Sequence, residues 1–187
     1  VSADAGAGDA YVDLLAACRA AADAGDLATA LACAREAVAT RPAAFEGLFF
    51  LAVTLQRLDR MPAAIAAYER AIRANGAIPE AHHNYARALL AMRRFDDAVD
   101  ALQRALALRP VYAEALDALG YAAAELGAPD EARAFFEHAL AIDDRDPAVH
   151  CRLGNLLLQQ RCYPEARRRF EEARARPRRR TPSAGSA

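Results

Sequence analysis

Residues 113–146 read AEALDALGYAAAELGAPDEARAFFEHALAIDDRD. Apolar residues recur in two blocks at helical spacing, Leu116, Leu119, Gly120 and Ala123, then Ala132, Phe136, Ala139 and Leu140. Between them stands Gly127-Ala128-Pro129-Asp130, where glycine tolerates positive φ and proline suits a first helical turn. The stretch predicts two antiparallel helices joined by a short turn.

The same arrangement tiles the chain. Alanine stands at 30, 64, 98, 132 and 166, and again at 37, 71, 105, 139 and 173, both ladders stepping by 34 residues. Five units follow, 11–44, 45–78, 79–112, 113–146 and 147–180, with no insertion between them. Gly25-Asp26 and Leu58-Asp59-Arg60 break the first helices of the first two units. Arg41-Pro42, Asn75-Gly76, Arg109-Pro110 and Asp146-Pro147 are expected to stop the second helices, because proline lacks the donor a helix needs and restricts its predecessor. A residue without a γ carbon lets two helix backbones approach, and leucine in such a seam would overpack by roughly 1–3 kcal/mol. Bulk comes from facing positions such as Tyr68, Leu102, Leu119, Phe136 and Phe170.

A 34-residue helix-turn-helix with the pattern W-x2-L-G-x2-Y, then A-x3-F, then P resembles the tetratricopeptide repeat. The fourth unit places Leu116, Leu119, Gly120, Ala132, Phe136 and Ala139 on that pattern. Elsewhere Cys18, Ala52 and Ala86 stand for its glycine, His82 and His150 for its first large apolar residue, and Gly76 and Asp144 for its closing proline. The resemblance implies an all-α fold, an α-solenoid with right-handed superhelical twist, of five stacked hairpins spanning 11–177.

Composition agrees with a globular chain: 187 residues, 55% hydrophobic and 26% charged, with net charge −1. About 50 residues are alanine and every basic residue is arginine, a bias that reads as a GC-rich, bacterial coding genome. Four cysteines without a CxxC pattern give no disulfide framework. No apolar run reaches the roughly 18 residues of a membrane span, and 1–10 lacks the basic start and apolar stretch of a leader. A cytoplasmic protein is expected. Residues 1–10 are expected to fray.

The last unit differs from those before it. Where the first three offer Leu31 and Val38, Ile65 and Ile72, and Val99 and Leu106 to the next hairpin, the fifth carries Arg167, Arg174 and Arg176. Burying unpaired arginines costs several kcal/mol each, so the array is expected to close there, followed by a disordered arginine-rich tail over 178–187. Residues 161–187 hold nine arginines against three acids. No free aromatic interleaves with them to stack on bases, so they read as a solvated cap rather than a nucleic-acid arm.

Nothing is left over for catalysis, metal or cofactor. Serine occurs only at 2, 183 and 186, and no glycine-rich phosphate loop or H-E-x-x-H pattern exists. His82 and His150 fall on a core phase and read as structural, and adjacent His83 points roughly 100° away from His82 around the helix. The cysteines and histidines scatter over different helices, which argues against a zinc site.

The resemblance implies a concave side lined by first helices, a surface suited to a peptide or helix of a protein partner. The inward phases are Leu15 and Arg19; Phe49, Phe50, Val53 and Arg57; His83, Asn84, Arg87 and Leu90; Asp117, Tyr121 and Glu125; and Cys151, Arg152, Asn155 and Gln159. Two adjacent phenylalanines cannot face one core, so at least one of Phe49 and Phe50 is expected toward the groove. The arginines are expected either to meet carboxylates of a bound segment or to bridge to neighbours such as Glu46, Glu80 or Glu114. A carboxylate clamp is absent: Asn84 fits one phase, but Phe49 and Val53 precede it and Glu114 and Ala118 follow. An asparagine ladder fails likewise, with Ala16, Phe50, Ala118 and Arg152 at the phase of Asn84. The leading expectation is a non-catalytic adaptor or scaffold; the alternative is the recruiting module of a larger enzyme such as a glycosyl- or sulfo-transferase or hydroxylase.

Overall fold

A computed structural model describes residues 3–175, in which ten α-helices and no strand occur. They pair as hairpins: α1 (Ala3–Asp23) with α2 (Leu27–Thr40), α3 (Phe45–Arg57) with α4 (Met61–Ala74), α5 (Pro79–Ala91) with α6 (Phe95–Leu108), α7 (Ala113–Glu125) with α8 (Pro129–Ile142), and α9 (Pro147–Gln159) with α10 (Tyr163–Ala175). The chain divides into two compact units, Val1–Pro110 and Val111–Ala187. In the first, α2 packs against α3 and α4 against α5; in the second, α8 packs against α9. The sequence suggested a single array over 11–177. Stacked repeats share no common core, so such a chain can be divided at a linker without opening a hairpin.

Every first helix ends in the same main-chain device. The residues at 25, 59, 93, 127 and 161 have φ between +58° and +80°. The N–H after each donates back to the carbonyl five residues earlier, as in Asp26 to Ala21, Arg60 to Leu55, Arg94 to Leu89, Ala128 to Ala123 and Cys162 to Leu157, all at 2.9 Å. This closes the helix by satisfying carbonyls that its last turn leaves open. Only Gly25 and Gly127 suit that conformation; Asp59, Arg93 and Arg161 adopt it at a cost of about 1 kcal/mol each.

Second helices stop at Arg41, Asn75, Arg109 and Asp143, whose N–H groups donate to the carbonyls of Ala37, Ala71, Ala105 and Ala139. The expectation that Asp146-Pro147 stops the fourth second helix needs correcting. Helix α8 ends at Ile142, while Asp146 caps α9 by accepting from the N–H of Ala148 at 2.9 Å, with Pro147 in its first turn. Proline opens a helix more readily than it closes one, since its missing donor is an orphan there anyway. Helix α1 reaches back to Ala3, into the stretch expected to fray; 3–10 contains four alanines, the strongest helix former. The tail expected over 178–187, and Arg176, lie outside the described residues.

Inside each hairpin the alanine ladder marks the closest approach. Ala30, Ala64, Ala98, Ala132 and Ala166 are all completely buried. Opposite them the first helices carry small residues matched to the ring or branched chain on the second: Ala52 with Tyr68, Ala86 with Leu102, Gly120 with Phe136 and Gly154 with Phe170. A Cβ at Gly120 would stand 2.6 Å from the Phe136 ring, and one at Gly154 2.8 Å from that of Phe170. Glycine is therefore required where phenylalanine faces it.

The buried histidines are core members. His82 and His150 occupy the same register position, and each donates Nε2–H to a carbonyl six residues earlier, Gly76 and Asp144, at 2.9 Å. A carbonyl only accepts, which settles the proton on Nε2. The Nδ1 of His150 lies 3.3 Å from the Glu172 carboxylate, which accepts hydrogen bonds from Arg168 and Arg169. Burial pushes Glu172 up, but the hydrogen bond from Arg168 and the charges of Arg169, Arg168 and His150 outweigh it and hold the carboxyl below its usual range.

Gly120→Ala should lower stability by about 1–3 kcal/mol, because Phe136 has nowhere to move. Arg93→Gly should raise it by about 0.5–1 kcal/mol, by relieving a left-handed residue at some cost in chain entropy. Urea unfolding of both variants checks this. Folding favours ionised Glu172, so its contribution is complete above about pH 4.3 and lost as pH falls through its depressed value. Glu172→Gln should lower the urea midpoint at pH 7 and flatten its fall below pH about 4.

Candidate functional site

The first unit presents its first-helix face on α1, α3 and α5. Phe49 stacks on Phe45, one helical turn earlier, with ring centroids 5.4 Å apart, and meets the edge of Tyr68 from α4 at 6.1 Å. Tyr68 is fully buried; its hydroxyl donates to Gln56 Oε1 at 2.7 Å, and burial holds it well above its ordinary pKa despite nearby Arg87. Phe50 turns to the neighbouring helix, where the Arg19 guanidinium lies 5.8 Å from its ring centre. Both phenylalanines are half-exposed, as is Val53, so neither is given over to the core.

The arginines of this face have different fates. Arg57 donates to the Ala22 carbonyl at 2.8 Å, tying α3 to the end of α1. Arg19 holds only its aromatic contact and Arg87 lies exposed near Tyr68. None of the three forms an ion pair among the described residues. Glu80, one of the neighbours to which such an arginine could have bridged, is bound by Arg109. Burial pushes the Glu80 carboxyl up; its own N–H, Arg109 and His83 more than compensate and hold it low. Leu15, His83, Asn84 and Leu90 are half-buried along the same face.

In the second unit Arg152 of α9 pairs with Asp117 of α7, so this arginine bridges neighbouring hairpins. Tyr121 is half-buried, and Glu125, Cys151, Asn155 and Gln159 are exposed. A cavity of about 680 Å³ opens between the start of α7 and the turn after α8, lined by Val111, Glu114, Asp117, Asp143, Arg145 and Asp146 among others. Sequence reasoning missed it because its acids come from α7 and from the turn after α8, whose early end was not foreseen. Gln56 was missed too; only its position one turn before the break at Asp59 could have shown that Tyr68 reaches it.

Chemistry finds little here. Cys18 is buried, its thiol donating to the Ala30 carbonyl at 3.5 Å, and burial raises its pKa. That is a packing thiol, not a nucleophile. Among the described residues no three His, Cys, Asp or Glu side chains converge to hold a metal ion, and no helix is long and apolar enough to cross a membrane.

Comparison with known proteins gives one consistent answer. The tetratricopeptide repeat family matches residues 15–79 and 84–147, and a second tetratricopeptide repeat family matches 123–184. No curated protein matches significantly. Among solved structures, the chain is similar to PilF of Pseudomonas aeruginosa, at 21% identity over 94% of this chain and 80% of that one, with TM-score 0.82. It is similar to MamA of Desulfovibrio magneticus, at 17% identity over 89% and 94%, with TM-score 0.82. A thermophilic TPR protein of Thermus thermophilus shares 22% identity over 93% of each chain, with TM-score 0.73. At these identities the likeness is one of fold.

Labelling should order the thiols: Cys151 reacts with a water-soluble disulfide reagent at once, and Cys18 only as fast as the first hairpin opens.

Proposed function

Because the chain belongs to the tetratricopeptide repeat family, whose members are protein-interaction scaffolds, we propose that it is a non-catalytic adaptor. It holds an extended or helical segment of a partner protein against the first-helix face of its N-terminal unit. The observation that carries this reading is the half-exposed pair Phe49, set on fully buried Tyr68, and Phe50, beside Arg19, with Arg19 and Arg87 free of ion pairs among the described residues. Rigid aromatic surface held in place by its own packing loses little entropy when a partner covers it. The cations beside it suit a segment that carries carboxylates. In this reading Arg152 and Asp117 hold hairpins together rather than a ligand. The exposed Asn155 and Gln159 flank the same side of the second unit. Its place of work is the cytoplasm, and neither membrane nor nucleic acid is its target.

The test is pull-down from the native host with the full chain and with Phe50→Ala combined with Arg87→Glu. Both side chains lie on the surface, so helix content by circular dichroism should stay unchanged while partner recovery falls at least about tenfold. Equal recovery of every partner by the folded variant would overturn the assignment.

A further inference from the structure

A second surface stands on the last described hairpin, in the C-terminal unit. In the 34-residue register, Arg133, Glu137 and Leu140 of α8 correspond to Arg167, Glu171 and Arg174 of α10. The α8 face is occupied, since α9 packs against it. There Arg133 does two things: Nε donates to Glu137 at 3.0 Å, and a terminal nitrogen reaches across to Glu165 of α10 at 3.2 Å. Arginine at that phase is compatible with a following hairpin, provided that hairpin brings a carboxylate.

Helix α10 repeats the first half of this arrangement. Arg167 Nε donates to Glu171 at 2.8 Å, as Arg133 does to Glu137. Beside the pair lies a cavity of about 350 Å³ lined by Leu158, Tyr163, Arg167, Phe170, Glu171 and Arg174. Leu158 is 43% and Tyr163 61% exposed. They stand where the third unit has Leu90 and Phe95, so this hairpin keeps the apolar bulk of a stacking face, which a solvated cap would replace with polar groups.

We propose that this face docks a helical hairpin of a partner protein, apolar along its first helix and carrying a carboxylate in the first turn of its second, where Glu165 sits on α10. Charge decides the occupant. Arg167 and Arg174 call for an acidic hairpin, whereas a second copy of this chain would present Thr29 at the position of Glu165, its hydroxyl already given to Asp26 at 2.6 Å.

The probe is a fluorescent peptide of residues 113–146, which has the required apolar helix and carries Glu131 at the Glu165 position. Titrated with the full chain, it should bind saturably. Arg167→Glu in the chain, or Glu131→Arg in the probe, should weaken binding about tenfold, and the two together should restore most of it. To remove dependence on the peptide folding alone, the same 34 residues are also inserted after Arg180 of the full chain. The insertion should raise the urea midpoint, and Arg167→Glu should cancel the rise. Phe50→Ala with Arg87→Glu should leave both readouts unchanged, which separates this surface from the proposed groove. The proposal is overturned by absence of both binding and stabilisation, by effects indifferent to Arg167→Glu, or by concentration-dependent dimers of the chain alone that Arg167→Glu abolishes.

Discussion

The fold depends on how closely two helices of one hairpin can approach. An alanine on the second helix lies completely buried in the seam, and the neighbouring bulky side chain needs a small residue across from it. Where that side chain is Phe136 or Phe170 even a methyl group is too much; where it is Tyr68 or Leu102 alanine fits. The seam is thus negotiated separately in each hairpin, large against small, while the alanine ladder stays constant. Backbones held this close project the first-helix side chains as a row, and that row is the surface on which partner recognition is proposed.

Main-chain geometry and side-chain pairing differ in how far they could be read from sequence. The ten helices and the buried alanines were legible because each follows from spacing alone. The left-handed corners were legible at Gly25 and Gly127 but not at Asp59, Arg93 or Arg161, where nothing in the residue type announces positive φ and only the register does. The end of α8 was misplaced because Asp146-Pro147 is as good a helix start as a stop. The first-helix assignment of Arg57 and Arg152 was readable. Their partners were not: one reaches a carbonyl 35 residues back and the other a carboxylate 35 residues back, choices made by rotamer and distance.

The two unit ends of α8 and α10 show how electrostatics modifies a repeat without changing it. An arginine in a stacking phase appears first in the fourth unit, at Arg133, where a carboxylate across the interface meets it. The fifth unit adds a second at Arg174. Desolvation alone would count these residues against association; with a matching acid they become selective for it. On the inner side of α10, Glu172 gathers Arg168 and Arg169 beside the buried His150 ring.

The repeated corner carries one more implication. At 59, 93 and 161 the turn is held by two backbone bonds, and the side chain, exposed in each case, is not needed for its shape. Cysteines placed at 59 and 93, in a chain relieved of its own thiols, would put spectroscopic labels one hairpin apart on equivalent tangents of the backbone. The spacing between them would then gauge how far the N-terminal stack stretches or coils under load, a spring constant built from the repeat itself.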